Sequence, residues 1–157
     1  MYPERARDGS RLLKRSTAVM DTLEILSDRW AFALLVETYF GVNRFDDYQH
    51  NLGISRNVLT KRLASLVDQG ILRRQIYQSK PDRYEYRLTE KGRAMYPIFL
   101  AIQQWGEQFL DSENDHDWAL IHTDCGNATH PHLCCDACGR EIVVSAMRLM
   151  PRNDPSM

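Results

Sequence analysis

The sequence has no long apolar run, almost no net charge, and no cysteine before position 125. A membrane-spanning helix needs about 20 consecutive apolar residues, and no stretch of this chain approaches that length. The opening residues, MYPERARDGSRLLKR, also lack the apolar core of a signal peptide. We therefore expect a cytoplasmic protein with no membrane partner.

The low net charge conceals a strong separation of charge along the chain. Between Ser55 and Arg93 there are ten basic and four acidic residues, a local net charge of +6, whereas Asp111 to Glu141 carries −6. Screening cuts interactions off within about 8 Å at physiological salt, so local charge governs attraction to phosphate. The middle of the chain is therefore suited to a nucleic-acid partner.

A length of 157 residues accommodates one domain of usual size with an appendage. From the changes in composition we expect a flexible arm (1–15), a main domain (16–111), a Cys/His-rich appendage (112–150) and a disordered tail (151–157). We find no internal repeat.

Apolar spacing predicts three helices ahead of the basic region, over 16–27, 31–40 and 46–51. The second is apolar on nearly all sides, which is typical of a centrally buried helix. Arg29, beside Trp30 at the junction of the first two helices, is expected to have a structural role.

A fourth helix is predicted between Ser55, its N-cap, and Gly70, its stop. One face carries an apolar stripe: Leu59, Leu63, Leu66 and Val67. Another face has no carboxylate and carries polar and basic side chains near the N-terminal end: Arg56, Asn57, Thr60 and Lys61. A short turn at 52–54 joins this helix to the third, which predicts a helix-turn-helix whose second helix points its N-terminal end at base edges.

After Gly70 the apolar period changes from about 3.6 to about 2, which predicts strands over 72–77 and 83–88 with a turn at 79–82. The hairpin is basic at its tip and edges: Arg73, Arg74, Lys80 and Arg83. Arg73 and Arg74 cannot both face DNA, because strand neighbours point to opposite faces. The sequence thus predicts an α+β fold, a mainly helical winged helix-turn-helix with a two-stranded wing and a small β-hairpin-like C-terminal appendage.

A long helix is predicted from Glu90 to Leu110, capped by Thr89 and bent or split at Pro97. Its apolar stripe is larger than a single helix needs, and we predict that it forms the seam of a homodimer: Met95, Phe99, Ile102, Trp105 and Phe109. The other interpretation is that the stripe packs on its own domain.

Four segments, in this order, resemble the HxlR-type transcriptional regulators of bacteria, which are close in architecture to the MarR type. They are LEILSDRW (23–30), RFDDY (44–48), GISRNVLTKRL (53–63) and RYEYRLTEKG (83–92). With Trp105, the resemblance spans about residues 16–110. It implies a sequence-specific transcriptional regulator, expected here to be a repressor, that binds double-stranded operator DNA as a homodimer and catalyses no reaction.

In several such regulators a cysteine that opens the first helix senses oxidants or electrophiles. Ser16 occupies the matching position here, and the first cysteine is Cys125. Sensing by that route is excluded, so the signal, if there is one, must be something else, and a small-molecule effector is one candidate.

Candidate DNA-binding residues come from the fourth helix and the hairpin: Ser55, Arg56, Asn57, Thr60, Lys61, Arg73, Lys80 and Arg83. Arginine pairs with guanine, and asparagine with adenine, through two hydrogen bonds, so base contacts are assigned to Arg56 and Asn57. Thr60 and Lys61 suit phosphate or thymine-methyl contacts. Arg83 can enter a minor groove, while Arg73 and Lys80 neutralise phosphate charge.

The cysteines all lie in the C-terminal appendage, where short β-prone pieces occur at 119–122 and 141–145. In a cytoplasmic protein such clustering favours metal binding or redox chemistry over structural disulfides. Two short-spaced pairs, each followed by glycine, resemble the knuckles of a zinc ribbon and suit tetrahedral Zn²⁺: His122 with Cys125, and Cys135 with Cys138. Three side chains are rival ligands: His130, His132 and Cys134. A redox-labile thiol cluster and a metal-free hairpin remain alternatives.

Two other function classes compete with a regulator. One is a thiol-disulfide or zinc-dependent enzyme centred on Cys135-x2-Cys138, although the motif lacks the preceding parallel strand and following helix of such enzymes. The other is a protein-interaction module that has lost DNA binding. Such a module has no reason to keep its helix and hairpin basic.

Overall fold

The computed structural model describes residues 17–110 and 119–148. The elements are α1 (Thr17–Leu26), α2 (Arg29–Tyr39), α3 (Phe45–Leu52), α4 (Arg56–Asp68), β1 (Leu72–Ser79), β2 (Asp82–Leu88), α5 (Glu90–Arg93), α6 (Tyr96–Phe109), β3 (Ile121–His122), β4 (Asn127–Ala128) and a 3₁₀ helix (Val144–Ala146). The predicted arm (1–15) and tail (151–157) lie outside the described residues. Of the helices described, none has the length and apolar composition needed to cross a bilayer. The mainly helical α+β class is confirmed.

The chain divides into two compact units, Met1–Tyr96 and Pro97–Met157. Short polar side chains and glycines set the helix ends in the first unit. The Asp28 carboxylate caps α2 by accepting the backbone N–H groups of Trp30, at 3.1 Å, and Ala31, at 2.9 Å. Gly53 ends α3 with φ 61°, a left-handed conformation that glycine adopts without strain.

The first unit has a core made from α2, α3, α4, β1 and the loops between them. Ten buried apolar residues form it: Ala31, Leu34, Leu35, Tyr48, Ile54, Leu59, Leu63, Leu66, Ile71 and Leu72. The three leucines of α4 are at most 1% exposed, so the predicted stripe of this helix points into the core. The N-terminal part of its opposite face is therefore turned to solvent.

Tyr48 brings a polar group into the centre of this core and is itself 0% exposed. Its hydroxyl donates to the Val42 carbonyl at 2.8 Å and lies 2.7 Å from the Thr38 hydroxyl oxygen. Burial raises the pKa of Tyr48 to about 12, so the phenol stays protonated at neutral pH. These contacts join α3 to α2 and to the loop between them.

The wing is an antiparallel hairpin of β1 and β2 in which Leu72 pairs with Leu88. Leu72 belongs to the buried core, and Leu88 packs against that core. The register shifts between Ile76 and Gln78. The base of the wing is thus anchored, while its tip stands in solvent.

The prediction that Pro97 splits the last helix is confirmed, since α5 ends at Arg93 and α6 begins at Tyr96. In the second unit β3 pairs with β4, and an isolated bridge joins Cys134 to Glu141. The prediction of a β-prone segment over 141–145 is wrong beyond Glu141. The described residues offer those positions no partner strand, and Val144–Ala146 form a 3₁₀ turn instead.

We expect Tyr48→Phe to lower the free energy of unfolding by about 1–3 kcal/mol, because it leaves the partly buried Val42 carbonyl without this donor. Tyr77→Phe, on the exposed wing, is the matched control and should change it by less than about 0.5 kcal/mol. Urea unfolding followed by circular dichroism measures both variants. Equal losses would contradict a structural role for the Tyr48 hydroxyl.

Candidate nucleic-acid interface

The outward face of α4 presents the side chains predicted for DNA contact. Ser55 caps the helix, its hydroxyl oxygen accepting the Val58 N–H at 3.4 Å, so its own hydrogen remains available for donation. Thr60 donates its hydroxyl hydrogen to the Arg56 carbonyl at 2.8 Å, which leaves the methyl group and an acceptor oxygen outward. Asn57 and Lys61 are exposed.

Arg56 is held against the first turns of α3. Its guanidinium carbon lies 5.0 Å from the centroid of the Phe45 ring, 3.7 Å separates Nη1 from an Asp46 carboxylate oxygen, and 3.5 Å separates Nη1 from Gln49 Oε1. The side chains of Arg56 and Asp46 are 71% and 82% exposed. Exposed ion pairs contribute only about 0–1 kcal/mol, so this arginine can exchange its partners for a base edge at little cost.

The wing carries its predicted basic residues, Arg73, Lys80 and Arg83, in exposed positions. Arg74 differs, because its guanidinium carbon lies 3.4 Å from the centroid of the Tyr84 ring. That contact is a cation–π interaction within the hairpin.

Glu85, a buried acid on β2, joins the wing to the loop before α3. Arg87 donates to both carboxylate oxygens at 3.1 Å, and Gln75 donates to the same group. Arg44 forms a β-bridge with Glu85 and places its guanidinium carbon 4.7 Å from the centroid of the Tyr77 ring. The hydrogen bonds from Arg87 and Gln75 lower the pKa of Glu85. These contacts fix the wing beside the helix-turn-helix.

Sequence reasoning missed Glu85, Arg44 and Arg87 as positioning residues. One sequence signal could have indicated Glu85: it is the one acid in the predicted strand 83–88, where tyrosines and arginines surround it. Arg29 places its guanidinium carbon 5.0 Å from the centroid of the Trp30 ring, and its structural role stays a prediction. The acid at that junction, Asp28, pairs instead with Arg62 at 2.6 Å and so ties the start of α2 to α4.

The predicted dimer residues differ in exposure. Ile102, Trp105 and Phe109 are 46%, 56% and 61% exposed, whereas Phe99 is only 9% exposed. The Trp105 and Phe109 rings lie 5.7 Å apart between centroids. Most of the stripe on α6 therefore faces solvent in the single chain.

The predicted metal ligands form two pairs. The Cys125 sulfur lies 3.5 Å from His122 Nδ1, and Cys135 and Cys138 lie on one turn, in which the Gly139 N–H donates to the Cys135 carbonyl at 2.8 Å. Backbone N–H groups lower the pKa of two of these thiols: Asn127 acts on Cys125 and Arg140 on Cys138. Across the ranges that the structure describes, no three His, Cys, Asp or Glu side chains meet at one point that could hold a metal ion.

A helix-turn-helix formed by α3 and α4, with a two-stranded wing beside it, defines the winged helix-turn-helix class. The HxlR-like helix-turn-helix family model matches residues 25–114. The chain therefore belongs to the HxlR-like helix-turn-helix family and is a transcriptional regulator of the helix-turn-helix type. The predicted resemblance is confirmed.

Known proteins agree with this assignment. The chain is 40% identical over 133 residues to the uncharacterized HTH-type transcriptional regulator Rv3095 of Mycobacterium tuberculosis (strain ATCC 25618 / H37Rv), a match that covers 85% of this chain and 83% of the relative. The crystal structure of PA1607 superposes with a TM-score of 0.70 at 29% identity, covering 82% of this chain and 89% of that chain. The structure of the redox regulator HypR in its reduced form superposes with a TM-score of 0.56 at 34% identity. That match covers 60% of this chain and 94% of that chain.

We expect Glu85→Gln to lower the melting temperature at pH 7, with a smaller gap to the wild type in acid. A carboxyl group whose pKa is lowered by folding stabilises the fold above its unfolded pKa, about 4.3. That contribution disappears as pH falls through the folded pKa. Thermal unfolding between neutral and acidic pH tests this, with the exposed Glu24→Gln as control. A gap that does not change with pH would contradict the carboxylate's role.

Proposed function

We propose that this protein is a cytoplasmic, non-catalytic repressor that binds operator DNA as a homodimer. The observation that carries the proposal is the solvent-facing start of α4, whose own side chains there include no acid, beside an anchored basic wing. A helix presented in this way matches the width of the DNA major groove. A dimer seated on a promoter represses by occupancy alone, which requires no further activity.

Base recognition is assigned to the first turn of α4. Arg56 and Asn57 supply the two side chains that bind guanine and adenine edges with paired hydrogen bonds. Ser55 and Thr60 add a hydroxyl donor, an acceptor and a methyl group beside them, and Lys61 reaches the phosphates. This set gives both a base preference and a fixed register on the duplex.

The wing supplies contacts that do not depend on sequence. Lys80 and Arg83 lie near its tip and Arg73 near its base, and each neutralises phosphate charge or enters the minor groove. Because the Glu85 contacts fix the wing, these cations approach the backbone while α4 occupies the adjacent groove.

The exposed stripe of α6 is the proposed dimer seam. Ile102, Trp105 and Phe109 present apolar surface that a second copy would remove from water, and Phe99 supports the stripe from its buried position. Two-fold symmetry then sets two α4 helices on half-sites about one helical turn, or a small multiple, apart. A small-molecule effector that changes this spacing would release the operator.

Arg56→Ala should cost about 1–3 kcal/mol on an operator selected from random DNA and relax preference at one base position. Arg56→Lys is the matched control, since lysine keeps the charge but lacks the planar fork that binds guanine. Fluorescence anisotropy on operator and scrambled duplexes separates the two variants. Full rescue by lysine, or equal losses on both duplexes, would show that Arg56 only contacts phosphate.

Lys80→Ala should weaken operator and scrambled DNA alike and reduce the slope of log affinity against log salt by about one unit. The same anisotropy titrations, repeated across a salt series, give this slope. An effect confined to the operator would assign Lys80 to base recognition instead.

Trp105→Glu should convert a dimer into a monomer in sedimentation velocity at micromolar concentration, because it places a charge in an apolar seam. Gln108→Glu, on the same helix, adds the same charge on a polar residue and should remain dimeric. A wild-type monomer whose operator footprint covers one half-site would rule out the dimer.

A further inference from the structure

The second unit contains two hairpins that share the same backbone hydrogen-bond pattern. Positions 120–129 and 133–142 lie 13 residues apart, and their backbones make the same connections. In the first copy the Thr129 N–H donates to the Leu120 carbonyl at 2.8 Å, and Ile121 pairs with Ala128. In the second, the Ile142 N–H donates to the Leu133 carbonyl at 2.8 Å, and Cys134 pairs with Glu141.

The tips of the two hairpins also match. The Gly126 N–H donates to the His122 carbonyl at 2.8 Å, and the Gly139 N–H donates to the Cys135 carbonyl at 2.8 Å. Both glycines are left-handed, with φ 72° and 69°. Each tip is therefore a tight turn that begins at a candidate ligand, His122 or Cys135, and contains a cysteine, Cys125 or Cys138.

The spacing within the first tip fits a tetrahedral metal ion. A sulfur at about 2.3 Å and a nitrogen at about 2.1 Å from tetrahedral zinc lie about 3.6 Å apart. The Cys125 sulfur and His122 Nδ1 are 3.5 Å apart. His122 and Cys125 therefore already have the separation of two ligands on one zinc ion.

The described residues 119–148 form no apolar core that would hold the two hairpins. None of the described residues from 119 to 148 is buried. Segments below about 40 residues usually depend on disulfides, metals or association for stability. A metal ion shared by the two tips would supply such a cross-link.

Two of the three rival ligands, Cys134 and His132, are placed less well. Cys134 precedes Cys135 in a bridged strand position, so its side chain points to the opposite face. His132 Nδ1 lies 3.5 Å from a Glu141 carboxylate oxygen. Neither occupies a tip of the repeated hairpin.

We infer that His122, Cys125, Cys135 and Cys138 bind one Zn²⁺ ion per chain, with one pair contributed by each tip. Binding draws the two tips together around the ion. The cysteines bind as thiolates, so their three protons pass to solvent, and the imidazole binds neutral. Four protein ligands leave no open position, so the ion is structural.

The test uses the full chain, produced in zinc-supplemented medium and purified without chelator. Elemental analysis should find about one zinc per chain in the wild type and in Cys134→Ser. Cys125→Ser and Cys138→Ser should fall to the level of the double variant that lacks both cysteines. Wild type at that background level, or Cys134→Ser losing zinc as fully as Cys125→Ser, would overturn the site. A metal-free disulfide found by mass spectrometry after alkylation would overturn it in favour of a redox cluster.

A second measurement does not depend on how the serine variants fold. Wild-type protein reconstituted with Co²⁺ should show the intense visible absorption of a tetrahedral ion together with a thiolate charge-transfer band. His122→Cys should keep the metal and strengthen that charge-transfer band by about one third, because four thiolates replace three. The weak spectrum of octahedral Co²⁺ in the wild type, or an unchanged band in His122→Cys, would contradict the ligand set.

Discussion

Burial of the α4 leucines is the constraint on which the first unit depends. Leu59, Leu63 and Leu66 are at most 1% exposed, and fully burying one leucine side chain contributes about 1.5–3 kcal/mol. Rotating the helix by one residue, about 100°, would expose them and turn polar side chains inward. Core packing therefore orients a surface that the core never touches.

Polar contacts then fix the neighbours of that helix. Asp28 acts twice, because it caps α2 and pairs with Arg62 of α4. Glu85 joins the wing to the loop before α3, and the Tyr86 N–H donates to the Asn43 carbonyl at 2.8 Å. The base of the wing shares the core with α4 through Leu72, and these polar contacts tie both elements to the loops around them.

Sequence patterns predicted the structural features that depend on a few neighbouring residues. The caps at Ser55 and Thr89, the break at Pro97 and the change of period after Gly70 act within a few residues, and each is present in the structure. The Glu85 contacts depend on strand register and on a distant loop, which no local pattern encodes. The repeated hairpin also escaped detection. Its two copies have the same residue at only three of ten positions, a leucine, a cysteine and a glycine. They are alike mainly in their backbone hydrogen bonds.

If Arg56 recognises a base edge as proposed, its contacts with α3 would affect how the protein searches along DNA. An arginine side chain loses up to about 2 kcal/mol of conformational entropy when it is immobilised, and stacking on the Phe45 ring restricts it before any encounter. In the proposed role of Arg56, the nearby Asp46 carboxylate would repel phosphate and compete for the guanidinium on non-cognate sequences. A guanine edge that makes two hydrogen bonds would outcompete this acid, whereas a single phosphate would gain less. The α3 acid would then shorten the residence time on wrong sites more than on the right one.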